Sequence, residues 1–148
     1  MQHLRIHTLY GGGTPAPFMF LGQMLEALRE RRPFAMSSGR QLREYHHVDD
    51  DARAIGVIAD RPIAGVIEVN HGAPLSLNEL ATGVFAGLGC ERLLHVGALP
   101  DPIEDNYGAE LARPAFLEGL DFRDTVAGVV HELSAQLSTS KVTPAPGT

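Results

Sequence analysis

The sequence predicts a small α/β domain, with short strands and about four helices. Three observations predict it. Apolar residues recur at helical spacing in four stretches, short apolar runs lie between them, and glycine or proline marks nearly every boundary. At 148 residues the chain suits one domain with a real core. We assign that domain to 1–137 and read 138–148 as a polar, proline-containing tail, expected to be disordered.

The elements follow in order. Leu4 to Leu9 alternates apolar and polar side chains before Gly11-Gly12-Gly13, a strand running into a turn. Phe18, Leu21, Met24, Leu25 and Leu28 define an amphipathic helix from Phe18 to Glu30, stopped at Arg31-Arg32-Pro33. Phe34-Ala35-Met36 and Leu42 to Val48 read as two strands joined by a loop through Ser37-Ser38-Gly39. Asp49, Asp50 and Asp51 open a second helix over about 50–59, with Ala54, Ile55 and Ile58 inward; carboxylates suit the positive end of a helix. Gly65 to Val69 is a strand. Ser76 and Glu79 fit a capping box for a helix ending near Leu88-Gly89. Arg92 to Val96 is a strand, 97–111 a loop, and Val126, Val129, Val130, Leu133 and Leu137 share one face of a last helix over about 123–137.

Composition excludes several function classes. The net charge of -6 leaves no basic excess for a nucleic-acid backbone. No apolar run approaches membrane-helix length, the start Met1-Gln2-His3-Leu4-Arg5 is not a signal peptide, and the lone Cys90 rules out an internal disulfide, so no membrane association and a cytoplasmic setting are expected. Lys141 is the only lysine, which leaves the folded body without a lysine for proton transfer.

Three constellations could carry chemistry. Gly11-Gly12-Gly13-Thr14 follows a strand and precedes a helix, but matches neither dinucleotide nor P-loop spacing, so a plain turn is favoured. His46 and His47 beside Asp49, Asp50 and Asp51 could hold a metal through His47 and Asp49, closed by His71 or His95. Capping aspartates after a strand explain the same residues, and no metal site is assigned. No G-x-S-x-G or activated Cys90 supports a hydrolase.

Four blocks of the chain, in order, resemble the C-terminal portion of extended short-chain dehydrogenase/reductases, the NAD-dependent nucleotide-sugar epimerase/dehydratase family. Arg5-Ile6-His7-Thr8-Leu9-Tyr10-Gly11 is similar to its R-x-x-N-x-Y-G strand, with Thr8 for Asn. The stretch from Gly39 through Arg43-Glu44-Tyr45-His46-His47-Val48 to Asp50 is similar to G-x-x-x-R-[DE]-[YF]-x-H-V-x-D and is the most specific block. Val69 to Ala81 resembles V-G-S-G-x-P-x-S-x-x-E-L-A, and Gly97-Ala98-Leu99-Pro100 opens a segment resembling the family's late nucleotide-contacting loop.

The resemblance implies a small substrate-binding lobe without a complete Rossmann domain. It implies nucleotide-sugar binding, with Arg43 facing the diphosphate, Phe34, Ala35 and Met36 near the base, and Tyr10-Gly11 on the sugar side. NAD(P) is implied for a complete family enzyme but not for this chain alone. No G-x-x-G-x-x-G occurs, and Tyr10, Tyr45 and Tyr107 are followed four residues later by Thr14, Asp49 and Leu111, so no catalytic Tyr-x-x-x-Lys is present. No catalytic residue is therefore assigned, and the chain is expected to be inactive by itself. The late loop departs too: where the family has arginine in P-x-R-x-x-[DE], this chain reads Pro100-Asp101-Pro102-Ile103-Glu104, and Asp101 and Glu104 would repel a diphosphate. The alternative is a stand-alone, non-catalytic binding or protein-interaction module of that fold. A lobe of this kind packs against a Rossmann domain, so an uncovered apolar face should meet a separate Rossmann chain or drive homo-oligomer formation.

Overall fold

A computed structural model describes residues 1–103 and 112–139. In chain order it holds β1 (Gln2–Arg5), β2 (Thr8–Tyr10), α1 (Phe20–Glu30), β3 (Phe34–Met36), β4 (Leu42–Arg43), β5 (Tyr45–His47) and α2 (Val48–Ala59). Then come β6 (Gly65–Glu68), β7 (Leu75–Ser76), α3 (Leu77–Gly87), β8 (Leu94–Val96) and α4 (Thr125–Thr139). Short 3₁₀ turns lie at Glu91–Leu93 and Ala115–Leu117. The α/β class and the four helices are as the sequence predicts.

The strands pair two by two. β1 runs parallel to β6, β2 to β5 and β3 to β8, while β4 and β7 are antiparallel. Two apolar clusters result. The larger joins α1, α3 and α4 with β3 and the rings of Tyr10 and Tyr45. Phe34 stacks on Phe85 there, with ring centroids 5.6 Å apart. The smaller sets Ala54 and Ile58 of α2 against Ile67 and Val69, closed by Leu117.

Local chemistry accounts for the helix ends. Ser76 accepts from the Glu79 N–H while the Glu79 carboxylate accepts from the Ser76 N–H, so the expected capping box is present. α1 stops where Arg31 turns left-handed at φ 52° and the next N–H reaches back to Ala27 O.

Several expectations need correction. The single strand from Leu4 to Leu9 is two strands, because the chain leaves β6 and joins β5 between Ile6 and His7. The first helix begins at Phe20, and Phe18 is exposed, since the turn after Pro17 comes before the helical spacing takes effect. Ile55 is also exposed; the buried stripe of α2 runs Asp51, Ala54, Ile58, and Ile55 lies to its solvent side. The last helix continues through Ser138 and Thr139, whose hydroxyls bond back to Ser134 O and Ala135 O. The rest of the expected tail, with Glu104, Tyr107 and Leu111, lies outside the described residues.

Candidate functional site

β5 is the most buried of the described strands, and it carries charge. Tyr45, His46 and His47 are all buried, with Glu44 and Asp50-Asp51 on either side. Buried charges persist only when paired. His46 Nδ1 donates to Asp51 Oδ1 at 2.5 Å, and its Nε2 faces Glu44 Oε2 at 3.4 Å. Burial pulls the His46 pKa down, but these two hydrogen bonds and carboxylate charges outweigh it and raise the value to about 9. Burial would raise Glu44; hydrogen bonds from His46 and His71 and the Gly72 N–H hold it well below the usual carboxylate range.

Gly72, His71, His7 and Asn70 complete this network. Glu44 Oε1 accepts from the Gly72 N–H at 2.6 Å and lies 2.9 Å from His71 Nδ1. The His71 ring stacks on His46, centroids 4.3 Å apart. His7 Nε2 lies 3.0 Å from Glu44 Oε2 and 2.7 Å from Asn70 Oδ1.

The aspartates divide their roles. α2 is capped by His47, whose Nδ1 accepts from the Asp49 N–H; the sequence reading had the aspartates as caps. His47 Nε2 reaches Glu132 on α4 at 3.1 Å. Asp49 is exposed, Asp50 receives Arg53 and both the side chain and N–H of Arg123, and Asp51 holds His46. His47 Nδ1 and Asp49 Oδ2 are 3.7 Å apart, and that nitrogen's lone pair already serves the cap. His71 joins His46 rather than His47, and His95 is exposed on β8.

Tyr10 and Gly11 line a cleft of about 270 Å³ between the glycine turn and the faces of α1 and α4, with Leu21, Val129, Glu132 and Gln136 opposite. Gly11 has φ 86°, and a Cβ there would strike the His47 ring, so both backbone and space call for glycine. The Tyr10 hydroxyl is buried with no hydrogen-bond partner among the described residues; burial, then the Asp50 charge, push its pKa up to about 12.

The other expected substrate residues lie elsewhere. Phe34 and Met36 are in the core, which leaves Ala35 as the exposed side chain of β3. Arg43 is half-buried on β4, its Nη1 donating to Leu42 O. Leu75, opposite Arg43 in the β4–β7 pair, lines a second cleft of about 180 Å³. That cleft also presents His71, together with Arg113 and Arg123, two residues that no sequence motif marks. Arg113 bonds His71 O and Leu120 O and lies over the Phe122 ring. Glu44 was readable as the acid after Arg43, but the partnership of His7, Asn70 and His71 with it comes from long-range pairing.

No protein-family model and no curated protein sequence matches the chain. Solved structures match over nearly its whole length. MoeE5 in complex with UDP-glucuronic acid and NAD is 26% identical over 95% of this chain and 46% of that one, TM-score 0.67. UDP-glucose 4-epimerase from Thermotoga maritima, with UDP-glucose, is 18% identical over 94% of this chain and 46% of that one, TM-score 0.77. This chain has the fold of part of an NAD-dependent nucleotide-sugar epimerase or dehydratase. A third enzyme of that class, UDP-N-acetylglucosamine 4-epimerase from Methanobrevibacter ruminantium, agrees at 19% identity over 95% and 46% of the two chains, TM-score 0.70. The chain spans about half the length of each. The β1–β6 pair is only partly covered. Parallel strands are normally covered on both faces, yet Ile6, Leu9 and Val66 are exposed, and neither strand has a second neighbour among the described residues. No described helix is long and apolar enough to cross a membrane.

Proposed function

We propose that this chain is the nucleotide-sugar-binding portion of an NAD(P)-dependent epimerase, dehydratase or reductase. The observation that carries the reading is the match of 94–96% of the chain to half of enzymes whose structures hold UDP-glucose. In this reading Arg43 meets the diphosphate, since a guanidinium offers phosphate oxygens a fork of donors. Tyr10 and Gly11 line the sugar side, where the 270 Å³ cleft offers room. β3 lies along the base, with Ala35 and the strand backbone making the contact, because Phe34 and Met36 are committed to the core.

The nicotinamide, its Gly-rich cradle and the Tyr-Lys pair come from a cofactor domain that meets this lobe in the cytoplasm. NAD(P) is then held by that domain, and this chain by itself transfers no hydride. The second edge of strand β1, open among the described residues, and exposed Ile6, Leu9 and Phe18 support docking on this side. They equally suit the second reading, an interaction module that no longer binds sugar. Calorimetry with UDP- and dTDP-sugars separates the two: a saturable, Arg43-dependent heat supports the first, and a flat titration supports the second.

A further inference from the structure

We propose that His7, His46 and Glu44, with Asn70 beside them, form a binding site for a divalent transition-metal ion of the zinc type. Two imidazole nitrogens and one carboxylate oxygen lie within 4.8 Å of one another. Both nitrogens address the same atom: His7 Nε2 is 3.0 Å and His46 Nε2 3.4 Å from Glu44 Oε2. A tetrahedral ion with bonds of about 2.0–2.1 Å holds its ligand atoms about 3.3 Å apart. The two separations from Glu44 fit such an ion, and the two nitrogens, within 4.8 Å of each other, would close on it.

A second observation lies behind the ligands. Metal-bound imidazoles usually give their other ring N–H to a carboxylate, which fixes the ring and sharpens its basicity. His46 does this with the buried Asp51. Glu44 is similarly fixed, its other oxygen anchored by the Gly72 N–H. His7 Nε2 faces two oxygens, Glu44 Oε2 and Asn70 Oδ1, with one proton at most to share between them. A cation at this point satisfies both oxygens together.

The donor set chooses the metal class. Two imidazoles with one carboxylate suit zinc and its first-row neighbours, whereas magnesium and calcium prefer all-oxygen surroundings. The ligands come from separate stretches: His7 after β1, Glu44 and His46 at β5, and Asn70 after β6. An ion would therefore tie the exposed β1–β6 pair to β5. The His7 side chain is 26% exposed and gives the ion a path inward. This inference does not depend on the nucleotide-sugar reading.

The test is isothermal titration of the tag-free, chelator-stripped chain with zinc and cobalt chloride, with magnesium chloride as the contrast. We expect one ion per chain, a cobalt absorption spectrum of four-coordinate type, a zinc-dependent rise in Tm and no magnesium binding. His7→Gln, checked for native circular dichroism, lowers the affinity more than about tenfold, and Asp51→Asn lowers it about 10–100-fold. His3→Gln leaves it unchanged. No saturable uptake of zinc by the wild-type chain, or equal uptake by His7→Gln, overturns the proposal.

Discussion

His46 and Asp51 face each other across the junction of strand and helix, Nδ1 to Oδ1 at 2.5 Å, with both side chains almost fully buried. The pair locks the end of β5 to the first turn of α2, and Glu44 balances it from the other side. Removing Asp51 leaves buried His46 only its longer contact to Glu44, and breaking a buried pair this way costs about 3–5 kcal/mol. Asp51→Ala is therefore expected to lower the urea midpoint steeply in chelator-treated protein. An unchanged midpoint would mean that the pair does not hold this junction.

Tyr10 gives a pH prediction of known sign. Its phenol is raised from 10.0 to about 12 by burial and by the Asp50 charge. The unfolded chain loses this proton first, so the stability contribution is complete below pH 10 and is lost as pH rises from about 10 to about 12. Alkaline unfolding followed by circular dichroism should show that decline, and Tyr10→Phe should reduce it. Because the Tyr10 hydroxyl has no partner among the described residues, Tyr10→Phe is also expected to be neutral or stabilising by about 1 kcal/mol at neutral pH.

The two faces of α2 predict contrasting truncations. Ile58 is fully buried against Ile67 and Leu117, so Ile58→Ala should cost about 2–5 kcal/mol. Ile55 is 40% exposed, and Ile55→Ala should change stability by less than about 0.5 kcal/mol. Equal losses in denaturant unfolding would contradict the orientation of this helix.

Ser76 supplies a smaller test of a local motif. Ser76→Ala removes one half of the capping box and should cost about 1 kcal/mol, read from the thermal midpoint. The Glu79 carboxylate is held below its ordinary range by the Ser76 N–H and hydroxyl. The benefit of the box is thus present at neutral pH and fades as Glu79 protonates in acid.

What the sequence revealed follows the range of the interactions. Ser76 and Glu79 are three residues apart, and a local rule finds them. The inward face of α4, with Val129 and Leu133, is likewise a matter of helical period. Ile55 was misplaced because an apolar residue one step off the buried stripe looks the same in sequence. The break between β1 and β2 was invisible because it depends on partners more than thirty residues away. The site divides in the same way. Arg43, Tyr10 and Gly11 stand out through a motif resemblance, whereas the seating of His7, Asn70 and His71 around Glu44 arises only when β1, β5 and β6 come together. His46 and Asp51 were noticed for their residue types, and their pairing required the strand-to-helix turn.

The central claim is that this half-length fold binds a nucleotide-sugar through Arg43. Isothermal titration of the chain with UDP-glucose, wild type beside Arg43→Ala, tests it most directly, with dTDP-glucose as the alternative nucleotide. The account predicts saturable binding of one of the two by the wild type, weakened at least about tenfold in the variant, as loss of a charge-assisted contact worth about 1.5–3 kcal/mol requires. Flat titrations with both sugars, or equal affinity in Arg43→Ala, would contradict it.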